Sequence, residues 1–194
     1  MAYTTIDDPG LYFNIKIYTG TGSSNALTGV GFQPDWVWNK SRSATGDQAL
    51  TDSVRGVTKE INSSDGSAEE TVAEGLTAFG SDGFTVGSDG SYNASSTTYV
   101  AWCWKAGTTA SGSTSGSGTA KTYNSSTSTT SGFSIVKYVG NATANHQFPH
   151  GLGVKPAMVW IKNLTDGSTN WQGYNKDLTA TKVLVMRMAM TKII

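Results

Sequence analysis

Part of this chain is written twice, and a chain that repeats itself folds as related units that bury their apolar faces against one another. Gly29-Val30-Gly31-Phe32-Gln33-Pro34-Asp35-Trp36-Val37-Trp38-Asn39-Lys40 returns as Gly151-Leu152-Gly153-Val154-Lys155-Pro156-Ala157-Met158-Val159-Trp160-Ile161-Lys162, with 6 of 12 positions identical. Upstream, Phe13-Asn14-Ile15-Lys16-Ile17-Tyr18-Thr19-Gly20 returns as Phe133-Ser134-Ile135-Val136-Lys137-Tyr138-Val139-Gly140, and downstream Thr58-Lys59 aligns with Thr181-Lys182. The register holds for about 50 residues. The first copy then runs through Phe79 and Phe84 to Tyr99-Val100-Ala101-Trp102-Cys103-Trp104-Lys105, an ending that the second copy lacks.

The apolar segments are short, rich in β-branched and aromatic residues, and bounded by Gly, Asn, Asp and Ser, which is the pattern of strands and turns. The expected fold class is all-β, a β-sandwich made of one complete unit and a truncated second repeat. Strands are expected at Tyr12 to Tyr18, Trp36 to Lys40, Gly83 to Gly87 and Thr98 to Lys105. In the second unit they are expected at Gly132 to Tyr138, Ala157 to Lys162, Asn170 to Tyr174 and Lys182 to Met188. Val54 to Asn62 is ambiguous, and Ala68 to Phe79 reads as a short surface helix or an irregular loop. Between the units, 19 of the 24 residues from Thr108 to Ser131 are Ser, Thr or Gly. A stretch with so little apolar surface reads as a linker or extended arm. The expected organisation is a first repeat over 1–107, a linker over 108–131 and a truncated second repeat over 132–194.

Only 14% of residues are charged, with 14 Lys and Arg against 14 Asp and Glu, so no net field draws the chain to nucleic acid or anionic membrane. A single cysteine, Cys103, excludes an internal disulfide and a thiolate cluster, and its place between two tryptophans reads as core. No basic-then-apolar leader and no bilayer-length apolar run is visible, so synthesis in a cytoplasm is expected.

Trp36 and Trp38 point to one face of their strand, as do Trp102 and Trp104 of theirs. Two such pairs are expected to form facing parts of one aromatic core. Trp171 differs, because Asp166-Gly167-Ser168-Thr169-Asn170 before it and Gln172 and Tyr174 after it are polar. Trp171, Asn170, Tyr174 and Asp166 are therefore the candidate glycan-binding residues, by ring stacking and bidentate hydrogen bonds. Asp52-Ser53-Val54-Arg55-Gly56 sets a carboxylate beside a guanidinium, which locks a loop or touches a ligand. Asp82-Gly83 and Asp89-Gly90 are turn dipeptides without EF-hand spacing. The paired Gly-x-Gly loops lack the third glycine and the helix of a dinucleotide fingerprint, and each leads through Pro34 or Pro156 into a strand. His146 and His150 are separated by Pro149, so they do not share a helix face. No nucleophile elbow, zinc-protease helix or P-loop is present, and neither catalytic residues nor a cofactor or metal is expected.

The motifs Phe32-Gln33-Pro34-Asp35-Trp36-Val37-Trp38-Asn39-Lys40, Asp52-Ser53-Val54-Arg55-Gly56, Ser81-Asp82-Gly83-Phe84 and Tyr99-Val100-Ala101-Trp102-Cys103-Trp104-Lys105-Ala106-Gly107 resemble a β-rich repeat. It occurs in predicted structural proteins of tailed phages of marine bacteria, including cyanobacteria. His150-Gly151-Leu152-Gly153-Val154-Lys155-Pro156 and Val159-Trp160-Ile161-Lys162-Asn163 resemble its companion repeat. The resemblance implies a virion protein with a jelly-roll or concanavalin-like, lectin-like sandwich and assigns no catalytic residues. The expected function is non-enzymatic, on the particle exterior, as capsid decoration; the alternative is a tail-fibre or receptor-binding protein recognising host glycans. The apolar run Val183, Leu184, Val185, Met186, Met188 and Met190 is the candidate interface, with other virion proteins or identical subunits, a trimer by preference, as the partners.

Overall fold

The computed structural model describes residues 6–178 and the backbone of Leu184–Met186. After a short 3-10 turn at Pro9–Leu11, the first unit runs through β1 (Phe13–Thr19), β2 (Asn25–Thr28), β3 (Trp36–Ser41), β4 (Gln48–Asp52), β5 (Lys59–Asn62), β6 (Glu70–Thr71), β7 (Leu76–Gly80), β8 (Gly83–Val86), the single-turn helix α1 (Gly90–Asn93) and β9 (Thr98–Trp104). A six-stranded antiparallel sheet in the order β1-β9-β3-β4-β5-β6 faces a three-stranded sheet, β2-β8-β7. The chain is an all-β sandwich. The ambiguous segments resolve as strands: Ala68 to Phe79 holds β6 and most of β7, with no helix.

Side-chain alternation divides the large sheet into two faces. Tyr18, Val37, Ala49, Tyr99, Ala101 and Cys103 point inward and meet Leu27, Val30, Phe32, Leu76, Phe84 and Val86 in one buried core. The tryptophans lie on the opposite side. Register places Trp36 opposite Trp104 and Trp38 opposite Trp102 on the outer face, each half-buried, with the Trp38 and Trp102 rings 5.5 Å apart. The expectation of two facing aromatic pairs in one core is thus corrected. β3 and β9 are neighbours in one sheet, so their indoles form a single layer on its outer side.

Buried polar side chains fasten α1 into the sandwich. The Tyr18 hydroxyl lies 2.9 Å from Asn39 Oδ1 and 2.6 Å from the Tyr92 carbonyl, and Asn39 Nδ2 donates to the Ser91 carbonyl. Tyr92 and Thr51 share a hydroxyl contact of 2.9 Å, while the Tyr99 hydroxyl donates to Gly90 O and accepts from the Ala94 amide. Asn93, fully buried, accepts from the Thr21 amide and donates to the Gly87 carbonyl. Two of these bonds, Tyr18 to Tyr92 and Thr21 to Asn93, join residues more than 70 apart in the chain, and breaking one leaves desolvated partners unpaired.

The second unit comprises β10 (Thr108–Ser113), β11 (Ser115–Gly116), β12 (Thr122–Ser128), β13 (Phe133–Tyr138), β14 (His146–Gln147), β15 (Met158–Ile161), β16 (Trp171–Asn175) and β17 (Leu184–Met186). Its sheet β15-β16-β17 repeats the register of β3-β4-β5: Trp38 opposes Leu50, which opposes Ile61, as Trp160 opposes Gly173, which opposes Leu184. β13 matches β1 in sequence, but it pairs with β12, and among the described residues no strand lies between it and β15 as β9 lies between β1 and β3.

Composition misleads over Thr108 to Ser131. The stretch forms strands rather than a free linker, with β12 paired to β10 on one side and β13 on the other. Ser125, Ser126, Thr127 and Ser128 are buried. Their hydroxyls are hydrogen-bonded: Ser126 Oγ accepts from the Gly107 amide, Ser128 Oγ from the Ser131 amide, and Thr127 Oγ1 contacts Ser134 Oγ at 3.0 Å. Small hydroxyl side chains can be buried without large apolar surface when ladder and side-chain bonds satisfy them.

The outer edge of β1 is guarded. Tyr12 O accepts from Lys105 N, so the odd-numbered amides of β1 point away from β9; the Ile15 amide among them donates to Asn14 Oδ1 of its own strand.

Replacing Asn93 by Ala orphans the Thr21 amide and the Gly87 carbonyl together. Urea unfolding is expected to show a loss of about 2–4 kcal/mol for Asn93→Ala.

Candidate functional site

The two units meet where β16 and the loop before it lie on the outer face of the large sheet. Trp171 is 3% exposed and packs with Leu50 and Ile61, with Trp36, Trp38 and Leu164 around them. Its indole N–H donates to the Asn62 carbonyl at 2.8 Å. Lys162 Nζ reaches the carbonyls of Gly66 and Thr169, and the Glu69 amide donates to Leu164 O. Burial among these carbonyls lowers the Lys162 ammonium from its ordinary range, and the nearby Asp65 and Asp166 oppose that shift. Phe133 stacks 6.2 Å from Trp104 and meets Trp36 edge-on.

This geometry dismantles the expected glycan constellation. Trp171 offers no ring face to a sugar, because its indole is the anchor of the second unit. Tyr174 lies on the other side of β16, three residues on, where Lys155 Nζ stands 6.0 Å above its ring. Asn170 is half-buried and its carbonyl accepts from Gln172 Nε2. Asp166 is turned into its own loop, accepting from the Ser168 hydroxyl and amide and from the Thr169 hydroxyl, which bring its carboxyl to about 2. Of the interface candidates, Leu184, Val185 and Met186 form β17, whereas Val183, Met188 and Met190 lie outside the described residues.

The other charged motifs hold backbone. Asp52 accepts from the Val54 and Arg55 amides and from Arg55 Nε; Arg55 also reaches Glu69 and the carbonyls of Lys59 and Leu50. With both side chains of the Asp52–Arg55 pair buried, this is the loop lock that the motif suggested. Asp89 caps α1 through the Ser91 amide. Cys103 is fully buried, and burial pushes its thiol up to about 12. His146 Nε2 contacts Thr114 Oγ1, and His150 Nδ1 accepts from the Leu152 amide. Among the described residues no group of His, Cys, Asp and Glu could hold a metal ion, and no helix is long and apolar enough to cross a membrane.

Two features escaped local reading. The first is an open cleft of about 390 Å³ lined by Asp47, Asp89, Ser91 and Tyr99, with Glu60 nearby on β5. Glu60 is 6% exposed and its Oε2 has no hydrogen-bond partner among the described residues. Burial raises its carboxyl from 4.5 to about 7; the Tyr92 hydroxyl opposes the rise, and the charges of Asp89, Asp47 and Glu70 add to it. The second is the fate of the first Gly-x-Gly loop. Gly29 and Gly31, with φ of 83° and 90°, donate their amides to Asp82 Oδ2 and Oδ1 at 2.9 and 2.6 Å. These bonds hold the Asp82 carboxyl below its usual range. The loop is an anion nest filled by the chain's own aspartate.

The fold and its internal contacts define an all-β protein of two docked, related units. Residues 8–193 match the family described as Domain of unknown function (DUF7483), and the chain belongs to that family. No curated protein and no solved structure matches it.

Truncating the anchor tests the docking. Trp171→Ala is expected to cost about 3–5 kcal/mol locally, so hydrogen exchange of the β16 amides rises roughly 150- to 5,000-fold while β3 and β9 keep their protection. Glu60 gives a pH signature. Its carboxyl ionises at lower pH in the unfolded chain than in the fold, so stability is full below pH 4.5, declines as pH rises to about 7 and is level above. Glu60→Gln removes this penalty. Urea titrations are expected to show the variant equal to the parent at about pH 4 and more stable by about 2–3 kcal/mol at about pH 8.

Proposed function

We propose that the chain is a non-enzymatic structural protein of a phage virion, carried on the particle exterior as capsid decoration in a homo-oligomer with other virion proteins as neighbours. The observation that carries this reading is the use made of its reactive groups. Arg55, Asp82, Asp89, Asp166 and Lys162 hold backbone amides or carbonyls, and Cys103 is sealed in the core. Apart from Glu60, whose Oε2 has no partner among the described residues, these charged groups are spent on shape, which suits a part that is assembled rather than one that turns over substrate. The resemblance of its repeats to those of phage structural proteins points the same way.

Reconstruction of the virion by cryo-EM, with copies of this chain counted in the density, is the test. Many copies on the capsid lattice are expected. A few copies confined to the tail would replace decoration by the second reading, a tail-fibre or receptor-binding lectin. One observation favours that second reading: Trp160 on β15 is 40% exposed, an indole available for stacking on a sugar. Glycan-array binding that is lost in Trp160→Ala is its signature.

A further inference from the structure

The second repeat keeps a nest whose two glycine amides find no acceptor among the described residues, whereas Asp82 fills the nest of the first. Gly151 and Gly153 match Gly29 and Gly31 and share their left-handed backbone, with φ of 71° and 73°. In the first unit, the turn between β7 and β8 delivers three acceptors: the Asp82 carboxylate oxygens take the two glycine amides, and the Asp82 carbonyl takes the Val30 amide between them. In the second unit the middle amide, on Leu152, is taken by His150 Nδ1. The amides of Gly151 and Gly153 have no protein acceptor among the described residues.

The surface beside this nest is bare in the same way. The sheet β2-β8-β7 covers the inner side of β3, so that Phe32 is 3% and Val37 0% exposed. Their counterparts are less covered: Val154 is 69% exposed, Val159 is half-buried, and Ile161, which stands where Asn39 stands, is 38% exposed. Charge has shifted to suit an acidic visitor. Lys16, which helps hold Asp82, is replaced in the repeat by Val136, but Lys155 replaces Gln33 next to the nest.

We infer that Gly151-Leu152-Gly153, with the apolar face of β15 beside it, is a docking site for an acidic β-hairpin of a partner protein, whose turn aspartate accepts from the two glycine amides as Asp82 does in the first unit. The first unit supplies the precedent for all three contacts: carboxylate on glycine amides, a cation nearby, and a hairpin laid over apolar side chains. A second copy of this chain is a poor donor, because its own Asp82 is already engaged. The site rests on the repeat geometry and not on where the protein resides, so it stands or falls separately from the virion reading.

The probe is a backbone-cyclised hairpin peptide carrying the sequence from Leu76 to Gly87, titrated into the full-length ¹⁵N-labelled chain. Asp82→Ala in the chain first calibrates the readout, since it must move the Gly29 and Gly31 amide resonances. Saturable shifts of the Gly151 and Gly153 amides are expected, with Gly29 and Gly31 unmoved. Binding is expected to weaken about tenfold when Asn replaces Asp in the peptide turn, and by a similar factor in Lys155→Glu. Equal binding of the Asn peptide, shifts that map elsewhere, or no saturation at millimolar peptide overturns the proposal. So does concentration-dependent movement of Gly151 and Gly153 without peptide, which would make a second copy the occupant.

Discussion

The six-stranded sheet has to bury both of its faces, and most of the structure follows from how it does so. Along β3 and β9, Val37, Asn39, Tyr99, Ala101 and Cys103 turn inward and are buried, while Trp36, Trp38, Trp102 and Trp104 alternate with them on the outer face. The inner face is closed by the chain's own small sheet. The outer face carries four tryptophans, too large an apolar area to leave in water, and the second unit is laid over part of it. Trp171 is the contact through which this happens. Its ring fills the space above Leu50 and Ile61, and its N–H satisfies a carbonyl that the docking itself removes from solvent.

The repeat shows how one motif serves two ends. In the first copy, Gly-x-Gly, proline and a Trp-rich strand are enclosed by a hairpin on one side and a neighbouring strand on the other. In the second, the same residues fold with the same register yet remain open among the described residues, where the β7-β8 hairpin encloses the first copy alone. The second unit is stable in this open form since it borrows the first as its support. Ser125 to Ser128 complete the arrangement, paired between β10 and β13 instead of hanging as a tether.

What was legible in the sequence was local and periodic. The alternation in Trp36-Val37-Trp38-Asn39-Lys40 placed β3, and short apolar segments bounded by turn residues placed β13, β15 and β16. β4 was missed because Gln48, Thr51 and Asp52 are buried beside Ala49 and Leu50, leaving no apolar rhythm to follow. Their burial is tolerable because Ser63 bonds Gln48, Tyr92 bonds Thr51 and Arg55 bonds Asp52. Trp171 was misread for a similar reason. Its polar neighbours described its own loop, whereas its role is set by Asn62, 109 residues away. The aspartate that fills the glycine nest is likewise 51 residues from Gly31, a distance over which spacing carries no signal.

The guarded edge of β1 has a consequence for crowding. A seven-residue strand with Ile15 and Ile17 exposed is the kind of edge on which neighbouring molecules add strands and fuse into aggregates. With the Ile15 amide already claimed by Asn14, an incoming strand finds the ladder interrupted at its centre. Copies held side by side at high local density can then touch through this surface without polymerising, so contacts between molecules are left to surfaces whose shape specifies the partner.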